Sequence, residues 1–261
     1  MRPTHHLTPL DALQAASRPA TPGRAPAQPL LVVAGGAGVL GTELLTRLVA
    51  SQRYRHTQVL VREPFTMGLR NVGTTVLPEC AEPRQWPDLR ADVALVVFDT
   101  PRLYYDRERA LWMPRPADLL PLATWLRASG VHTLAVVLPH AQGRLPEAVK
   151  RGLANLDEQA VAALGFERLL LVRTARKPAA PDGRRNLFEK VAGGMLSVFS
   201  YMVPQSEQPV RASRVAAFAM SALQQAPPGI HVVAPETVWR ALQGDVDQTV
   251  RDWLGARATP G

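Results

Sequence analysis

Cysteine is nearly missing from the chain: Cys80 stands alone among 261 residues. One thiol cannot build an intrachain disulfide framework, which suits a reducing, cytoplasmic setting. No stretch reaches the ~18 uninterrupted apolar residues of a membrane span. The first turns of sequence, broken by Pro9, also lack the continuous apolar core of a secretory signal. Histidines are few and unclustered. His5 and His6 are adjacent, while His56, His132, His140 and His231 are dispersed, so no metal-ligand spacing exists and no metal is expected. Lysine is scarce too, and nearly all of the positive charge is arginine. The net charge of +8 and pI near 10.5 invite a nucleic-acid reading. The arginines are scattered, however, and pairs such as Arg184 and Arg185 form no basic run interleaved with aromatics. Beside so much alanine, proline and leucine the bias is compositional, and no nucleic-acid partner is expected.

What is present is an alternating α/β pattern. With 46% hydrophobic residues in 28.4 kDa, the chain can bury one full core. Residues 1–29 are rich in Ala, Pro and Thr, end in RPATPGRAPAQP, and read as a disordered leader or linker. An Arg-bearing, acid-poor organelle presequence is the alternative for that segment. From residue 30 onward, apolar β-rich runs at 30–34, 57–61, 74–77, 93–98, 133–138, 169–172 and 230–233 predict strands. Helices are predicted at 41–51, 117–129, 146–164, 186–202, 211–225, 236–242 and 246–254. The alternation predicts a doubly wound, mostly parallel sheet in a single domain over 30–258, with a small helical C-terminal portion on the substrate side.

The strongest local signal is LLVVAGGAGVLGTELLTRLVA at 30–50, a buried strand, a glycine-rich turn and an amphipathic helix. Gly35, Gly38 and Gly41 give G-x-x-G-x-x-G, and Gly36 also makes G-x-G-x-x-G. In such turns one glycine bends the chain, another admits a pyrophosphate to the backbone N–H groups, and the last lets helix and strand sit close. The segment Gly35, Gly36, Ala37, Gly38, Val39, Leu40 and Gly41 is therefore the expected dinucleotide cradle, with the anion on the positive helix end. About 20 residues further on, where such folds choose between dinucleotides, stands Arg62 with Arg70 nearby in sequence. A guanidinium there suits a 2′-phosphate, so NADP is favoured, while Glu63 keeps NAD open. The fourth strand runs into Thr100, a contact for ribose or pyrophosphate or else a loop-capping hydroxyl. Tyr104 and Tyr105 follow, lining a substrate pocket or packing on the surface.

GGAGVLG, VLVR at the second strand end, VVFDTPR and LGFERLLLVRTA together resemble the atypical short-chain dehydrogenases, especially the NmrA-like and Tat-interacting-protein-like NAD(P)H-binding group, over roughly residues 30–242. That resemblance implies a Rossmann-type fold, a nicotinamide dinucleotide, Tyr-x-x-x-Lys before the sixth strand and a serine ending the fifth. Those positions fall here on Lys150 and Ala154, and on Leu138, Pro139 and His140. No shift rescues the pair: Tyr54, Tyr104, Tyr105 and Tyr201 are followed four residues on by Gln58, Glu108, Arg109 and Gln205. The proton relay is absent. His140, after the fifth strand, can donate a proton in its place or be a plain loop residue, and Lys150 is a solvated base on its helix. The Arg-Pro that follows the sixth strand in the group becomes Arg173 and Thr174. The apolar stretch LFEKVAGGMLSVFSYMV at 187–203 suits core packing, a pocket cover, a membrane surface or the second subunit of a homodimer. Two functions follow: an NADP(H)-dependent oxidoreductase acting on a small organic acceptor, or a non-catalytic module that senses NADP(H) for a protein partner.

Overall fold

Short runs of β-branched and apolar residues build the frame. In the computed structural model, which describes residues 28–77, 85–99, 106–138, 156–174 and 207–258, they form seven strands. These are β1 (Leu30–Ala34), β2 (His56–Val61), β3 (Val72–Val76), β4 (Val93–Val97), β5 (Thr133–Leu138), β6 (Arg168–Arg173) and β7 (Gly229–Val233). All pair in parallel, in the order β3-β2-β1-β4-β5-β6-β7. The order reverses between β1 and β4, so the carboxyl ends of those two strands flank the crevice where doubly wound sheets take ligands. This is the Rossmann-type α/β architecture expected, with every described pair parallel.

The helices are α1 (Gly38–Ala50), α2 (Asp106–Arg109), α3 (Leu119–Ala128), α4 (Leu156–Ala163), α5 (Glu207–Gln225), α6 (Pro235–Gln243) and α7 (Val246–Ala258). Alternation along the strands divides the core in two. Leu31, Val33, Val59, Leu95, Val97, Leu170 and Val172 face α1, α5, α6 and α7, while Val32, Ala34, Leu60, Ala94, Val96, Leu169 and Leu171 face α3 and α4. Helices α1 and α3 meet their cores through stripes at helical spacing: Leu44, Leu45 and Leu48 on α1, and Leu119, Leu122, Ala123 and Leu126 on α3. Leu122 and Leu126 are fully buried, and each contributes about 1.5–3 kcal/mol of transfer free energy. Ser129 and Gly130 stop α3 as expected, their N–H groups closing on Trp125 and Arg127.

Most boundaries lie within a residue or two of the sequence reading. Helix α1 starts at Gly38 rather than 41, because the turn itself supplies its first residues. Strand β3 begins at Val72, earlier than 74, where the Gln58 amide reaches across to the Thr74 carbonyl and the Thr75 hydroxyl. Of the helix expected at 146–164 only Leu156–Ala163 is among the described residues, and the stretches 1–27 and 186–202 lie outside them. Among the described residues no helix is long and apolar enough to cross a membrane.

Candidate functional site

The glycine turn leaves β1 at the crevice. Gly35 has φ +82, and a Cβ there would overlap the Val97 carbonyl oxygen at the end of β4. A Cβ on Gly41 would overlap the Gly35 carbonyl oxygen, so α1 lies directly against the turn. Two glycine roles expected of a dinucleotide cradle, the sharp bend and the close helix approach, are thus physical requirements of this backbone. The space beside Gly36 is bordered by Leu45, Val59 and Leu111 at 3.5–3.9 Å from an added Cβ.

Helix α1 has Ala37 at its N-cap and no acid in its first turn, so it carries no local group for its leading amides. Distant carboxylates meet them instead. The Gly38 N–H donates to Glu108 Oε2 at 3.0 Å. Leu40 N–H donates to Asp99 Oδ2 at 2.8 Å, and Gly41 N–H reaches the same oxygen at 3.4 Å. Both acids therefore lie on the positive end of the helix. Asp99 sits just beyond β4, whereas Glu108, buried at 6% exposure, arrives from α2.

The chain then passes between the carboxyl ends of β1 and β2. Arg62 N–H donates to the Ala110 carbonyl at 2.7 Å, Trp112 N–H to the Leu60 carbonyl at 2.9 Å, and Gly35 N–H to the Trp112 carbonyl at 3.1 Å. Val61 and Leu111 form an antiparallel bridge. A Cβ on Gly35 would stand 3.2 Å from Pro114 Cδ, so the segment continues over the turn. Trp112 anchors it, buried edge-on to Trp86 at 5.9 Å, with Trp86 in turn edge-on to Trp125 of α3 at 5.3 Å. Residues 108–114 form a strap across the β1–β2 end of the sheet.

The strap decides how a dinucleotide fits. The turn has the right backbone, but a pyrophosphate laid on the start of α1 meets Glu108 and Asp99 on the amides it needs. An adenosine half extended toward the end of β2 meets Ala110, Leu111 and Trp112. With the strap docked and Asp99 on the Leu40 and Gly41 amides, these residues do not fit a dinucleotide.

Arg62 stands exposed at the carboxyl end of β2, its backbone tied to the strap. Arg70 does not join it. The loop after β2 returns along the sheet, and Arg70 lies two residues before β3, at the amino edge, where it lines a groove of about 550 Å³ with Gln52, Tyr54 and Asn71. Eight positions of sequence carry the chain back across the sheet, which corrects the expected proximity. Thr100, His140, Lys150, Tyr104, Tyr105 and Tyr201 lie outside the described residues. Arg173, at the end of β6, is buried and bonded to Glu158 of α4 at 2.7 Å. The sequence reading missed the roles of Asp99, Glu108, Trp112 and Glu158. The one available signal was negative: a helix opening on Ala37 needs its cap from elsewhere.

No family model matches the sequence, and no curated protein matches it. Solved structures are similar to the chain at low identity. A Rossmann-fold NAD(P)-binding family protein from Shigella flexneri is 15% identical over 66% of this chain and 87% of its own, with a TM-score of 0.35. The PhqB reductase domain from Penicillium fellutanum is 16% identical over 90% of this chain and 75% of its own, with a TM-score of 0.40. UDP-N-acetylglucosamine 4-epimerase from Bacillus cereus is 13% identical over 88% of this chain and 99% of its own, with a TM-score of 0.37.

Proposed function

We propose that the chain is an NADP(H)-binding Rossmann module that senses its ligand rather than turning it over, as the NmrA-like resemblance allows. One observation carries the reading: the leading amides of α1 already hold carboxylates, so the start of this helix is an anion seat in working order. A dinucleotide would use the amides at 36–41 for its pyrophosphate and Arg62 for a 2′-phosphate, with NAD as the weaker ligand. The cofactor would supply hydride chemistry if an acceptor were present. The chain, however, lacks Tyr-x-x-x-Lys, and its four tyrosines have no lysine at that spacing. Binding without turnover is what remains of the usual activity, and the partner that reads the bound state is a protein.

Calorimetric titration with NADPH, NADP, NADH and NAD tests this. Heat with NADPH and NADP, about tenfold tighter binding than with NADH and NAD, and no NADPH oxidation are expected from one charge-assisted phosphate contact. Absence of heat with all four would reduce the glycine turn to a structural bend. Turnover with an acceptor would move the reading to an oxidoreductase, with His140→Ala the variant that asks for its proton donor.

A further inference from the structure

The strap has the chemistry of a ligand. Its Glu108 carboxylate sits on the Gly38 amide, as an anionic phosphate oxygen would. Its backbone from Ala110 to Trp112 takes the open N–H and C=O groups of Gly35, Leu60 and Arg62, along the path from the glycine turn to the end of β2. Leu111 borders Gly36, and Trp112 fixes the far end in the α3 core. We propose that residues 108–114 are an autoinhibitory occupant of the nucleotide groove, so that strap docking and dinucleotide binding exclude each other. This rests on the reading above that the groove takes NADP(H).

The groove binds only in the fraction of molecules whose strap is undocked, so the observed affinity is the intrinsic affinity reduced by that fraction. Binding then moves the strap outward and exposes it to solvent. An anion competes for the helix start with Glu108 and Asp99 as like charges, and removing the Glu108 charge shifts the balance toward the ligand.

The test compares the full chain with Glu108→Ala, using NADPH as the probe. Calorimetry should give about tenfold or tighter binding in the variant, the factor for losing one charged hydrogen bond from the docked state. Hydrogen exchange on the unaltered chain gives a second reading that does not depend on the variant folding. Saturating NADPH should release protection at the Gly35, Arg62 and Trp112 amides, which the strap holds. Equal affinity in the two chains, with those three amides still protected in the presence of bound NADPH, overturns the strap and leaves the binding reading standing. No heat from either chain with any of the four nucleotides overturns the binding reading, and the strap proposal falls with it.

Discussion

Glu108 and Glu158 are two buried carboxylates at one edge of the same sheet, exposed by 6% and 3%, and each has a bond to a different kind of positive group. Glu158 faces the Arg173 guanidinium at 2.7 Å, a full charge on a side chain that is itself buried. Glu108 faces the Gly38 amide at 3.0 Å, a partial charge at the end of a helix. Breaking the first pair takes a charged partner away from a buried ion, which is costly. Breaking the second leaves an N–H that any other anion can satisfy. On the strap proposal, the β5–β6 half of the edge is frame and the β1–β2 half is exchangeable.

The comparison breaks first at Glu158. Glu158→Ala should lower the unfolding free energy in urea by about 3–5 kcal/mol, because Arg173 stays behind without this partner. A loss under about 1 kcal/mol, no more than a surface pair gives, would put both halves in one class. On the exchangeable side, Arg62→Glu should lower NADPH affinity far more than NADH affinity, changing the preference by about tenfold or more. Equal losses in a calorimetric titration would place the 2′-phosphate elsewhere. Glu108→Ala should cost only about 1 kcal/mol of stability in the same urea assay, the usual value for a lost helix N-terminal cap. A loss matching that of Glu158→Ala would make Glu108 part of the frame.

The smallest expected effect lies at the amino edge, away from both carboxylates. Burial pushes the Tyr54 hydroxyl above its ordinary value of 10.0, against the pull of Arg53 and Arg168. A raised folded-state value favours the protonated form, so this stabilisation is full below the unfolded value and fades as pH rises through the folded one. Tyr54→Phe should flatten the alkaline limb of a Tm-against-pH curve and leave the neutral region unchanged. An unaltered alkaline limb would assign that titration to another group.

The frame was legible because its signals are local. The runs VALVV in β4 and LLLVR in β6 announce buried strands without help from distant residues, and the glycine turn combines strand, bend and helix within a dozen positions. The strap was not legible. DRERALWMP has neither a period of two nor one of 3.6, and its partners Gly35, Gly38, Leu60 and Arg62 belong to other elements. Glu108 stands among charges of both signs in DRER, and nothing nearby in sequence says which acid will face inward. Arg70 misled through the opposite error, since closeness in sequence stood for closeness in space across a loop that reverses direction. Arg173 and Glu158 are 15 residues apart on a helix and the following strand, a pairing that only the crossover geometry creates.

The 70-residue separation of Gly38 and Glu108 in sequence also sets a clock for assembly. The strap has nothing to bind until β1, β2 and α1 are in place, so its contacts belong to the last stage of folding, after the long-range pairings have closed. Weakening it should then leave the refolding rate nearly unchanged and speed unfolding, the mark of contacts formed after the transition state. During that interval a newly made chain presents its glycine turn open to whatever nucleotides surround it, before its own segment arrives to cover it.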